Sequence, residues 1–128
     1  MTQAYNGIVP YLFFDQAETA LDWYSTHFGS EEINRWTNEH GAVRNAEMKV
    51  GSTEIWLDGT GRFAKEDPRP LWFGIWVDDV DAVYQRLVRL GVGCEAPVDR
   101  EFGVRMLNVD DGMGYLWGFM KRISNVDG

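Results

Sequence analysis

The sequence predicts an α+β fold made of two tandem βαβββ repeats, and three observations carry that expectation. Two short apolar segments, residues 8–14 and 72–77, run into Asp15 and into Asp78–Asp79, and each is followed by apolar residues at helical spacing. Each helical stripe stops at a glycine, Gly29 and Gly91, a residue suited to the left-handed turn that ends helices. Each stop is followed by three strand-like segments. An offset of 64 places Ile8 on Trp72 and Asp15 on Asp79, while the two glycines differ by 62, so the second helix is about two residues shorter.

Taken in order, residues 8–14 (IVPYLFF) read as a buried strand, with Pro10 better suited to its start than to its centre. Asp15 is a plausible N-cap for a helix whose buried stripe is Ala17, Ala20, Leu21, Tyr24 and Phe28. Strands are expected at 31–36, 43–50 and 53–58, with turn chemistry at 38–41 and 51–52. In the second repeat, Val80, Val83, Tyr84, Leu87 and Leu90 form the helical stripe. Strands follow at 93–97, 104–109 and 115–120, with a turn at 110–114. The whole reads as one domain, with a first repeat over 7–58 and a second over 71–121. Residues 59–70 form a polar linker or lid rich in Gly and Pro, and 122–128 a tail.

Composition narrows the function. Acidic residues outnumber basic ones 20 to 12, a net charge of -8 that disfavours nucleic acid and anionic membranes as partners. A single cysteine, Cys94, excludes an internal disulfide and an all-cysteine zinc site. No apolar run is long enough to span a bilayer, and the first seven residues lack the features of a signal peptide, so a cytoplasmic protein is expected. Aromatic residues reach 14%, more than one buried strand face per sheet readily absorbs.

The order and spacing of four motifs are similar to those of the vicinal oxygen chelate superfamily, which includes glyoxalase I, extradiol dioxygenases and bleomycin-resistance proteins. Pro10-Tyr11-Leu12-x-Phe14-Asp15 opens the chain, and Trp23-Tyr24-x-x-x-Phe28-Gly29 resembles the family's first helix end. Val77-Asp78-Asp79-Val80 starts the second helix, and Asp111-x-x-Gly114-Tyr115-x-Trp117 resembles its last turn and strand. The opening is closest to the PhnB-like or bleomycin-resistance-like branch. The resemblance implies an incomplete eight-stranded barrel around a cleft, with helices on the outer faces. It also implies four metal-ligand positions, on the first and last strands of each repeat.

Counted seven residues back from each helix-capping acid, two of those positions fall on Ile8 and Trp72; the other two fall on Trp56 and Gly118. None carries a donor suited to a divalent ion. No cofactor and no metal are therefore expected. Strand alternation from these positions puts Phe14, Glu54, Trp56, Asp58, Trp72 and Trp76 in the cleft, with Gly74 and Gly118 leaving room beside the tryptophans. Trp36 and Glu47 are further candidates from the second and third strands. Such a cleft suits a planar, partly apolar ligand, and the two carboxylates extend that preference to a cationic one. The expectation is a metal-independent small-molecule binding protein, acting by sequestration as in antibiotic resistance and, by the resemblance, as a homodimer. The alternative is a glyoxalase- or dioxygenase-like lyase or isomerase with a non-standard or metal-free site.

Overall fold

A computed structural model of the chain describes residues 6–64 and 71–123. The chain divides into two compact units, Met1–Asp67 and Pro68–Gly128. In the first unit β1 (Tyr11–Phe13) leads into α1 (Ala17–Phe28), followed by β2 (Glu31–Thr37), β3 (Val43–Val50) and β4 (Thr53–Asp58). The second repeats the order with β5 (Trp72–Trp76), α2 (Val80–Arg89), β6 (Val98–Asp99), β7 (Val104–Asp110) and β8 (Leu116–Arg122). Each unit is an open four-stranded sheet, ordered β1-β4-β3-β2 and β5-β8-β7-β6. The first and last strands of each unit pair in parallel, and the remaining pairs are antiparallel.

In the first unit α1 covers one sheet face with Ala17, Ala20, Leu21 and Tyr24, all buried. Leu12 of β1, Ala46 and Met48 of β3, and Ile55 and Leu57 of β4 are buried as well. The helix ends at Gly29, whose φ of 69° is the left-handed conformation the sequence calls for, and its N–H donates to the Ser25 carbonyl at 3.1 Å. The Glu18 carboxylate accepts from the Val43 N–H at 3.1 Å, tying the first helical turn to β3.

The facing of β1 differs from the expectation. Leu12 pairs with Leu57, and Tyr11 pairs with Trp56 in the neighbouring register position. Leu12 and Phe14 therefore lie on the helix side, and Tyr11 and Phe13 on the open side. The cause is the helix start: the N-cap is Gln16, not Asp15. Counting seven residues back from Gln16 gives Val9, with the same parity as Tyr11 and Phe13, so Ile8 is off by one residue and its whole strand turns over. Ile8 itself precedes β1 and is almost fully exposed.

The second unit follows its predicted facing. Phe73 pairs with Trp117 and Ile75 with Phe119; on this face Val80, Leu87, Leu107, Val109, Trp117 and Phe119 are buried. Asp79 caps α2, accepting from the Ala82 N–H at 3.0 Å. At 10 residues α2 is two shorter than α1 at 12, as the glycine spacing implies. Arg105 spans three elements, donating to both carboxylate oxygens of Asp81 on α2 at 2.9 and 2.8 Å and to Asp99 of β6 at 2.8 Å. It is a structural tie within this unit.

Three other expectations change. The strand expected at 93–97 is absent; pairing starts only at Val98, after Pro97, which has no N–H to give to the ladder. Residues 59–64 are no free lid: Ala64 is buried, and a Cβ at Gly59 would run into the Val43 carbonyl and Ala17. The rest of that segment, 65–70, lies outside the described residues. Of the expected tail, Arg122 closes β8 and residues 124–128 lie outside the described residues.

Candidate functional site

Each sheet has a helix-free face, and the site residues concentrate there. In the first unit, cross-strand register aligns Tyr11, Trp56 and Glu47 in one row and Phe13, Asp58, Asn45 and Trp36 in the next. Trp56 donates its indole N–H to Glu54 at 2.7 Å, and the Tyr11 ring meets the Trp56 ring edge-on with centroids 5.8 Å apart. Tyr11 donates its hydroxyl to Asn45 Oδ1 at 2.7 Å, and Asn34 donates to Glu47 at 2.8 Å. Glu54 and Trp56 thus stand together as the sequence places them.

Asp58 shares that face but is 3% exposed and fully engaged. Its Oδ1 accepts from the Thr60 N–H and hydroxyl at 2.8 and 2.6 Å, and its Oδ2 accepts from Arg62 at 2.8 Å. It is the anchor of a tight turn, and its charge is spent on Arg62. Arg62 also lies over the Phe13 and Phe63 rings, 5.8 and 5.7 Å from their centroids. The turn forces Phe63 to a φ of 62°, uncommon for a residue with a side chain.

Burial pushes the Asp58 carboxyl up, but the Thr60 and Arg62 donors outweigh it and hold the pKa below the usual carboxylate value. A lowered folded-state pKa adds stability above the unfolded value of about 3.9, and that stability is lost as pH falls through the lower folded value. Asp58→Asn is therefore expected to flatten the acid limb of the stability profile below about pH 4. Acid titration of unfolding, wild type against variant, checks this; parallel acid limbs would contradict it.

A groove of about 600 Å³ opens beside this turn, lined by Tyr11, Trp36, Thr37, Arg44, Asn45, Asp58, Thr60 and Arg62. Of these, only Asp58 and Trp36 were candidates on sequence. Tyr11 was hidden by the one-residue slip in β1. Thr60 and Arg62 carry no periodic signal, since their place depends on a turn organised by Asp58, and Arg44 sits on β3 at the register shift between Trp36 and Thr37 of β2, which strand alternation does not reveal.

In the second unit the open face carries Trp72, Trp76 and Gly118 together. Trp72 pairs with Leu116, Gly74 with Gly118 and Trp76 with Met120. Gly74 and Gly118 do not leave vacant room. The Trp72 ring occupies it, because a Cβ on either glycine would overlap indole atoms. The two glycines are a floor under a flat indole whose N–H donates to Asn108 Oδ1 at 2.9 Å. Trp72 remains 44% exposed, so its outer surface is open. Trp76 is 59% exposed, with the Arg122 guanidinium 5.3 Å from its ring centroid.

Phe14 is corrected outright. It is 4% exposed and packs edge-on against Tyr24 of α1 with centroids 6.1 Å apart, so it belongs to the helix-side core. The residues at the family's metal positions, Val9 (in place of Ile8), Trp56, Trp72 and Gly118, do not fit a divalent ion. Two are indoles, whose N–H groups are donors already given to Glu54 and Asn108; the others have no polar side-chain atom. Among the described residues, no three of His, Cys, Asp and Glu are grouped to hold a metal.

The chain's relatives agree with this architecture. The family model of the Glyoxalase/Bleomycin resistance protein/Dioxygenase superfamily matches residues 7–119. An uncharacterised protein of Mycobacterium bovis, Mb0911c, is 24% identical over 131 residues, spanning 94% of this chain and 86% of its own. The crystal structure of TioX from Micromonospora sp. ML1 superposes with a TM-score of 0.76 at 24% identity, covering 92% of this chain and 99% of TioX. A bleomycin-binding protein complexed with bleomycin superposes with a TM-score of 0.71 at 16% identity, over 92% of this chain and 99% of that one. Among the described residues no helix is long and apolar enough to cross a membrane. With two open βαβββ sheets and a family match over nearly all its length, the chain belongs to the glyoxalase/bleomycin resistance protein/dioxygenase superfamily.

Proposed function

We propose that this protein binds a planar small molecule without a metal ion, holding it on an aromatic helix-free sheet face and sequestering it. One observation carries the reading: the Trp72 indole lies flat on a glycine floor, is fixed by Asn108 and keeps its outer surface exposed. A ring so held has already lost its rotamer freedom, so stacking a ligand on it costs little further ordering. Trp56, fixed edge-on by Tyr11 and through its N–H by Glu54, offers a second preorganised indole. Two further points support the reading: the metal-position residues do not fit an ion, and a neighbour with the same fold is a bleomycin-binding protein complexed with bleomycin. In this reading the protein acts as a homodimer in the cytoplasm, and sedimentation at twice the chain mass is the expected behaviour.

The test is a thermal-shift and tryptophan-quenching panel of fused-ring aromatic compounds. Binders are expected to lose about tenfold in affinity in Trp72→Ala, a stacking contribution of about 1.4 kcal/mol. If no panel member binds, or if Trp72→Ala and Trp56→Ala both bind as the wild type does, the reading is wrong.

A further inference from the structure

The groove in the first unit has a polarity opposite to that of the whole protein. The chain carries a net charge of -8, yet the groove's lining holds two arginines and one aspartate. Asp58 and Arg62 neutralise one another at 2.8 Å. The Arg44 carbonyl accepts from the Gly59 N–H at 2.9 Å, but its guanidinium makes no hydrogen bond or ion pair among the described residues, so its charge is the one left over. The hydrogen-bonding balance points the same way. Both Asp58 oxygens are filled, by Thr60 and Arg62, and Asn45 Oδ1 is filled by the Tyr11 hydroxyl. Among the described residues the unspent groups are mainly donors: the Arg44 guanidinium, the Asn45 amide NH2 and the Trp36 indole N–H, with the Thr37 hydroxyl able to donate or accept. Trp36 stands at the same groove, 49% exposed.

We infer that this groove takes an aromatic carboxylate, with the carboxylate on Arg44 and Asn45 and the ring against Trp36. The inference goes beyond the proposed function, because neither Trp72 nor Trp56 lines this groove: it adds a site for a planar ligand that carries an acidic group. A guanidinium presents paired N–H donors to the two oxygens of a carboxylate, a match that a neutral or cationic ring lacks. One surplus positive charge suits a monoanion, and the Asp58 carboxylate in the wall disfavours a doubly charged phosphate. The cation expected from Glu54 and Asp58 loses half its support, because Asp58 is already paired.

The probes are a naphthoate, the corresponding naphthamide and the corresponding naphthylmethylammonium, all substituted at one ring position. They are titrated by calorimetry into wild-type protein, Arg44→Gln and Arg44→Lys. The naphthoate is expected to bind wild type about tenfold or more tightly than the amide, with the ammonium weakest. Arg44→Gln is expected to bring the naphthoate down to the amide's affinity while leaving the amide unchanged, and Arg44→Lys to restore part of the difference. Equal binding of naphthoate and amide, tightest binding of the ammonium, or an unchanged naphthoate affinity in Arg44→Gln would overturn the acid assignment while leaving the planar-ligand reading standing. Failure of all three probes on the wild type would overturn the groove site, whereas the panel with Trp72→Ala and Trp56→Ala decides the proposed function.

Discussion

Asp111→Ala is expected to destabilise the protein by about 4 kcal/mol, among the largest single-residue effects in the molecule. Asp111 is buried, and its carboxylate accepts hydrogen bonds from the Met113 and Tyr115 N–H groups at 2.7 and 3.2 Å and from the Trp117 indole at 2.9 Å. Tyr115 and Trp117 are themselves buried, and Trp117 packs on Phe73 with centroids 5.0 Å apart. Removing the carboxylate leaves buried donors without an acceptor, and each such loss costs about 1–3 kcal/mol. The melting temperature is expected to fall by on the order of 10 °C. Asp111→Asn keeps one oxygen for the two backbone donors but turns an NH2 toward the indole N–H, so it recovers only part of the loss. Asp110 is the control. Among the described residues its carboxylate accepts only from the exposed Gly112 N–H, at 2.8 Å, and Asp110→Ala is expected to cost about 1 kcal/mol or less. Calorimetric unfolding of the three variants checks the order; comparable losses at 110 and 111 would contradict it.

That contrast shows how far the sequence was legible. The two adjacent aspartates look alike in a turn motif, and only the fold separates a buried hub from a surface turn residue. The repeat itself was legible because it is written in local signals: glycine stops, alternating strands and a shared order. Strands β3 and β4 match their expected limits, and the shortening of α2 follows in part from the glycine spacing and in part from its end at Leu90, just before Gly91. Facing in β1 was not legible, because it hung on one residue at a helix start. Asp15 is the better capping residue by type, yet the chain turns into the helix at Gln16, which makes no side-chain capping bond. One residue of slip exchanged Phe14 for Tyr11 and Phe13 on the open face. In the second unit Asp78 and Asp79 are both of the right type, and the actual cap is Asp79, the one that the offset of 64 pairs with Asp15, so the facing stands.

The groove was less legible still. Periodicity assigns residues to faces, but the charge available at a site depends on which partners consume it. Asp58 counts as a free acid on a strand and as a neutralised one once the chain beyond β4 folds back through Thr60 and Arg62. The global charge of -8 therefore says little about the first unit's groove, where the surplus is positive.

Gly118→Ala is expected to cost about 2 kcal/mol, although it adds a single methyl group. In an ordinary strand the same change is mildly favourable, because glycine is the weaker strand former. Here the new Cβ would overlap Cζ2, Cε2 and Nε1 of Trp72, so the indole must leave its floor and give up the 2.9 Å bond to Asn108. A double-mutant cycle isolates this cause. In a Trp72→Ala background the clash is gone, and Gly118→Ala is expected to be neutral within about 0.5 kcal/mol or slightly stabilising, giving a coupling of about 1.5–2 kcal/mol. Equal costs in both backgrounds would show that glycine is needed there for some other reason. The same cycle bears on binding. If the flat indole is the stacking surface, Gly118→Ala should lose aromatic ligands as fully as Trp72→Ala does, and the double variant should lose no more. A Gly118→Ala protein that is destabilised yet binds with wild-type affinity would separate the packing role of Trp72 from ligand recognition and move the stacking surface to Trp56.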